Sequence, residues 1–167
     1  MLYLQSDWRQ YIIDVGGEYK ASQVAVARLT EQVRADANVL AAEPEARSSL
    51  SRASRNLEGT YPVRAFAAFE SALRSYEKWW HPERVGGKRV DASQMIDEIG
   101  SRVADDIPRR HKRPIGTQIR ERVHLVRRSR HYWAHDDTDA IGEPMPLERA
   151  KSCLLEYIGK MPLEWGD

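Results

Sequence analysis

Apolar residues recur along most of the chain at steps of three and four, the spacing that places them on one face of an α-helix. The strongest run is Phe66, Phe69, Leu73, Tyr76 and Trp80, which predicts a buried helical stripe with Pro62 in its first turn and a stop at His81-Pro82. Before it, Val24, Ala27, Leu29, Val33 and Leu40 form a looser face on a helix over 22–42, ended by Glu43-Pro44. The serine-rich stretch ARSSLSRASRNLEG reads as a short helix that turns at Gly59. Further on, Asp91 is the N-cap of a helix to about Asp106, with Met95, Ile96, Ile99 and Val103 inward. Another helix spans 115–135 on Ile119, Val123, Val126 and Trp133, and a last one spans 147–160 on Ala150, Leu154, Tyr157 and Ile158. Residues 1–17 are aromatic and close on Gly16-Gly17, so they read as an N-terminal arm or short helix. The pattern predicts an all-α fold, an up-and-down helical bundle of about five core helices, in a single domain over residues 1–167.

One position breaks the pattern. Between Val126 and Trp133 the stripe continues at residue 130, and the residue there is arginine. A guanidinium, charged at all ordinary pH, belongs on a core-facing stripe only if it is paired or acts on something. Glu70 lies about 40° from Phe66 on its helix, at the stripe's edge, and suits a displaced arginine as a partner; an ion pair with Arg74, four residues on, is the equal alternative.

Composition supports this picture and adds charge. Apolar residues make up 41% of the chain and charged residues 31%, a balance that suits amphipathic helices when β-branched runs are scarce. The net charge of +1 conceals an asymmetry. Residues 109–135 hold nine Lys or Arg, four of the five histidines and one acid, whereas the 32 residues that follow hold eight acids and three bases. Such a basic element suits a polyanion. Arg120, His124, Arg127 and His131 share one helical face, a solvated row or one that tracks phosphates, and Arg128 adds to it.

Several other classes are set aside. The loop PERVGGKRV lacks the lysine-serine or lysine-threonine ending and the preceding strand of a phosphate-binding loop. His131 and His135 are spaced for zinc on a helix, but a third ligand and an intervening HExxH glutamate are missing, so no metal or other cofactor is expected. Sequence-specific DNA binding by the arginine-rich helix conflicts with its apolar stripe, which marks it as a core helix. The lone Cys153 sits in an apolar helical pattern, which predicts a core thiol and a reducing compartment. No signal-peptide pattern and no run of eighteen apolar residues is present, so a cytoplasmic protein with no membrane span is expected.

Arg130-His131-Tyr132-Trp133-Ala134-His135, near the end of the fourth helix of an all-α bundle, resembles the Arg-x4-His signature of HEPN domains of the RiboL-PSP type. TYPVRAFAAFESAL resembles the family's second core helix with its acidic residue, here Glu70, and PLERAKSCLLEYIGKMP is similar to its closing helix. His131 stands where asparagine is more usual.

The resemblance implies a metal-independent endoribonuclease, often the toxin of a toxin-antitoxin or phage-defence system, working as a homodimer with facing motifs and sometimes held by an antitoxin protein. Arg130 and His135 would be its catalytic residues, with His131 and Glu70 supporting and Arg120, His124, Arg127 and Arg128 binding RNA. The residue types fit the chemistry, because RNA brings its own nucleophile in the 2'-hydroxyl. The enzyme then needs a proton carrier, which histidine supplies near neutral pH, and a fixed positive fork on the phosphate, which arginine supplies. A non-catalytic HEPN module that binds protein or nucleic acid is the alternative.

Overall fold

Two long helices carry the bundle. The computed structural model describes residues 3–35, 44–82, 91–102, 115–135 and 144–165, apart from the side chains of Pro44, Arg102, Ala134 and His135. Helix α1 spans Gln5–Ala35 and α2 spans Pro44–Trp80, at 31 and 37 residues. The shorter α3 (Ala92–Arg102), α4 (Thr117–His135) and α5 (Leu147–Ile158) pack around them. Helix α2 is central, in contact with all four other helices described. The all-α class holds, and among the described residues the only sheet is a pair of two-residue strands.

The core forms where the stripes meet. Phe66, Phe69, Leu73 and Tyr76 of α2 pack with Met95, Ile96 and Ile99 of α3, Val123 and Val126 of α4, and Leu154, Tyr157 and Ile158 of α5. Asp91 caps α3 as expected: its Oδ2 accepts from the Ser93 N–H at 3.0 Å and its carbonyl from the Met95 N–H at 3.0 Å. Val103, the chain to Asp106, the linker at 108–114, the loop at 83–90 and Leu40 lie outside the described residues.

Three boundaries differ from the sequence reading. Residues 5–17 are no separate arm: they are the first turns of α1, and Ile12, Val15 and Gly16 are its buried face. The Lys151 side chain of α5 lies over Gly16, where a Cβ would stand 2.9 Å from its Nζ. The expected inward face of Val24, Ala27, Leu29 and Val33 is instead exposed or half-buried. The turn at Gly59 is absent as well, because α2 runs unbroken through Gly59 and Pro62.

Pro62 therefore sits deep in a helix rather than in its first turn, and it withholds one N–H from the ladder. Burial on both sides keeps the helix continuous, with Leu57 packed against the core before it and Tyr61, Ala65 and Phe66 inside it. Pro62→Ala should stabilise the fold by about 1–3 kcal/mol, since it restores a backbone donor and relieves the ring's clash. An unchanged or lower midpoint in urea would show that α2 is already bent to suit the proline.

The chain ends are clasped together. Strand β1 (Tyr3–Leu4) pairs antiparallel with β2 (Glu164–Trp165), Tyr3 opposite Trp165. Buried Gln5 donates from Nε2 to the carbonyls of Ile158 and Met161, both at 2.7 Å, and the buried Trp165 indole donates to Ser75 Oγ at 2.9 Å. No described helix is long and apolar enough to cross a membrane.

Candidate functional site

Helix α4 is fixed along its length before it reaches the Arg-x4-His motif. Val123 and Val126 anchor it in the core. Arg122 reaches α5 in an ion pair with Glu156 at 2.8 Å. Ser129, buried one residue before the motif, accepts a hydrogen bond at Oγ from the Met145 N–H at 2.7 Å, which ties the approach to α5 onto α4. The motif thus begins on a rigid element, the arrangement that best holds a reactive side chain in place.

Arg130 is half-buried. Its guanidinium carbon lies 5.8 Å from the centroid of the Phe66 ring, within cation–π range. Its Nε is buried with no hydrogen-bond partner among the described residues. One turn on, Trp133 also has a buried indole nitrogen without a partner among those residues. Trp133 presses on α2 at Gly59, where an added Cβ would come within 2.7 Å of the ring. That glycine serves the close approach of two helices, which explains its place in mid-helix better than a turn does. Tyr132 meets the Trp133 ring edge-on at 5.3 Å.

His135 is the last residue of α4, and its side chain lies outside the described residues. The helix ends at His135, one residue past Ala134, so the expected end near Ala134 is met. Around a continuous helix positions 130 and 135 stand about 140° apart, and they meet either at this helix end or across a second copy of the chain.

Glu70 is taken by its neighbour. Arg74 donates to it at 2.5 Å in an i,i+4 pair, the alternative partner, and no ion pair joins Glu70 to Arg130 among the described residues. His131 is exposed.

The basic row is largely neutralised by α3. Asp97 Oδ1 accepts from His124 Nε2 at 3.1 Å and from Arg120 at 3.5 Å, and Arg127 pairs with the capping Asp91 at 3.2 Å. Arg120 is a structural side chain: it lies across Gly100, where a Cβ would be 2.5 Å from its Cδ. Arg128 alone of the four expected RNA-binding residues has no ion pair among the described residues, and it is exposed. It lines an open groove of about 310 Å³ between α3 and α4 with Ser93, Asp97, Glu121, His124 and Arg127. Counting charge along residues 109–135 missed these acids because they stand 23 to 36 positions earlier in the chain.

Cys153 is buried, and burial pushes its thiol above the usual range despite nearby Arg122 and Arg149, as suits a core thiol and not a nucleophile. Burial likewise pushes the Tyr157 phenol far up. Among the described residues no group of three His, Cys, Asp or Glu is placed to hold a metal ion.

Comparison with known proteins finds no matching family model, curated protein or solved structure. The resemblance to HEPN domains rests on the motif and on its placement in this bundle.

Proposed function

We propose that the chain is a metal-independent endoribonuclease of HEPN type, a toxin-antitoxin or phage-defence effector that acts as a homodimer with a composite site. The observation that supports this reading is Arg130: a half-buried arginine over the Phe66 ring on a core helix, with no ion pair among the described residues. The structural Arg120 also has a buried Nε without a partner among the described residues, but its guanidinium is engaged by Asp97, whereas that of Arg130 has no such carboxylate among those residues and is left for a substrate phosphate.

In the proposed reaction the 2'-oxygen attacks phosphorus and the bond from phosphorus to the 5'-oxygen breaks. His135 of one copy takes the 2'-hydroxyl proton, and His135 of the other gives a proton to the leaving 5'-oxygen. Arg130 holds the charge that grows on the non-bridging oxygens. Arg128, exposed beside the groove, contributes to RNA binding, and His124, Arg127 and Arg120 do so only in exchange for their acids on α3. Such part-exposed pairs are each worth about 0–1 kcal/mol, so a phosphate competes with them at small cost. An antitoxin protein would act by covering the α4 end.

The neutralised row favours a second reading, a non-catalytic binding module, since three of four expected RNA contacts are already engaged. Cellular RNA and a labelled tRNA, incubated with the protein in EDTA, separate the two. The ribonuclease yields fragments with 2',3'-cyclic phosphate and 5'-hydroxyl ends; intact RNA, or cleavage only with added metal, contradicts it.

A further inference from the structure

The start of α1 carries an aromatic groove of about 210 Å³, lined by Tyr3, Leu4, Asp7, Trp8 and Tyr11. Asp7 and Trp8 stand four and three residues before Tyr11, so the three share one face of the helix. Tyr3 and Trp8 are held in place: their rings stack at 6.3 Å and 27°, and both pack against the core. Tyr11 makes no ring contact among the described residues and is 51% exposed. The backbone beneath these side chains is fixed by buried Gln5, which bonds to the end of α5, and by the pairing of β1 with β2. The groove is therefore built before a ligand arrives.

Charge selects among the ligands that aromatic rings accept. Asp7 and Glu164 are both exposed. Glu164 stands directly opposite Leu4 in the antiparallel pair, so its side chain leaves the strands on the Leu4 side. Neither carboxylate has an ion pair among the described residues, and Asp7 accepts only from Ser6 Oγ there, at 3.5 Å. Arg64 of α2, the base on the Tyr11 side, is engaged by Glu18 at 2.5 Å and lies over the Tyr61 ring. A nucleobase would stack on such rings, but its phosphate would meet two carboxylates. A cation is drawn to ring faces and carboxylates alike.

We infer that this groove binds a trimethylammonium group, on a choline-type small molecule or on a methylated lysine of a peptide. The methyl groups give the cation an apolar skin for the rings and Leu4, and they remove the N–H donors that a bare ammonium would have to satisfy. The volume suits a head group, since pockets for drug-sized ligands start at about 300 Å³. The groove lies at the opposite end of α5 from the Arg-x4-His motif, because Gln5 bonds at Ile158 and Met161 whereas Ser129 holds Met145. Binding there stands whether or not the chain cuts RNA, since it involves neither Arg130 nor His135.

Heteronuclear NMR of the nitrogen-labelled full chain tests it, with choline chloride titrated against sodium chloride at equal ionic strength. The Trp8 indole signal is identified by its loss in Trp8→Phe. Choline should shift that signal to saturation with a Kd of about 0.1–5 mM. Its neutral tert-butyl isostere, with carbon in place of nitrogen, should bind at least about tenfold more weakly. Tyr11→Ala and the double variant Asp7→Asn/Glu164→Gln change only exposed positions, keep the fold by circular dichroism, and should each weaken choline by at least about fivefold. A short peptide with one trimethyllysine separates the sources: an affinity at least about tenfold above that of choline points to a peptide, and an equal one to the small molecule. No shift of the Trp8 signal up to about 50 mM choline, an isostere that binds as tightly, or variants that bind like wild type would each overturn the inference.

Discussion

Tyr157→Ala should cost the fold about 3–5 kcal/mol, enough to unfold a marginal domain near physiological temperature. Tyr157 is fully buried at the meeting of α5, α2 and α3. Its ring stands edge-on to Phe69 at 5.2 Å and its hydroxyl donates to the Ile96 carbonyl at 2.7 Å. Tyr157→Phe keeps the ring and loses the hydrogen bond, so it should cost about 1–2 kcal/mol. The two variants also differ from wild type in pH dependence. Burial raises the Tyr157 pKa in the fold above the ordinary value of 10.0. A raised folded pKa gives stability that is complete below about pH 10 and declines above it, because the unfolded chain then loses a proton that the fold retains. The stability gap between wild type and Tyr157→Phe should therefore narrow as pH rises past about 10, as read by urea unfolding at pH 7 and in the alkaline range. A constant gap would place the hydroxyl in contact with solvent.

Arg130 should show the opposite balance, little for the fold and much for activity. Arg130→Met keeps the length of the stem beside Phe66 and removes the buried Nε that lacks a partner among the described residues. Its effect on stability should lie within about 1 kcal/mol of zero, with a gain as the favoured direction. RNA cleavage should fall by about 10²–10³, the cost of removing a fixed donor from a developing charge. Arg130→Lys keeps the charge but not the planar fork, and should recover only part of that loss. An arginine present to hold helices together would behave otherwise: Arg130→Met would then lower the unfolding midpoint markedly.

Local periodicity was enough to identify the core of α2, α3 and α5, where each stripe finds a facing stripe. It misled in α1, because Val24 and Leu29 are as regularly spaced as core residues yet lie beyond the end of the bundle. Periodicity reports a face and says nothing of what meets it. Gly59 and Pro62 read as punctuation, but packing overrides local propensity: Gly59 admits Trp133, and Pro62 is held by the buried residues on both sides of it. The clasp of Gln5 and Trp165 with α5 and α2 joins opposite ends of the chain, and no local pattern encodes it.

The candidate site was legible in part for the same reason. An arginine on an apolar stripe is a local anomaly, visible without neighbours, and the structure finds it half-buried beside Phe66. The rest of the site is local only in part. Arg74, four residues on, holds Glu70, one of the two partners that the helix spacing offers, but the carboxylates that engage the basic row come from a different helix. Charge summed along a segment overstates what a folded surface presents to RNA.

The central claim, that RNA is cut at the C-terminal end of α4, is tested most directly by the cleavage rate of His135→Ala against wild type in EDTA, with both proteins shown to share one unfolding midpoint. A loss of at least about 10²-fold, the usual worth of a proton-transferring side chain, is the result expected. Equal rates would contradict the claim and place any cleavage elsewhere on the molecule.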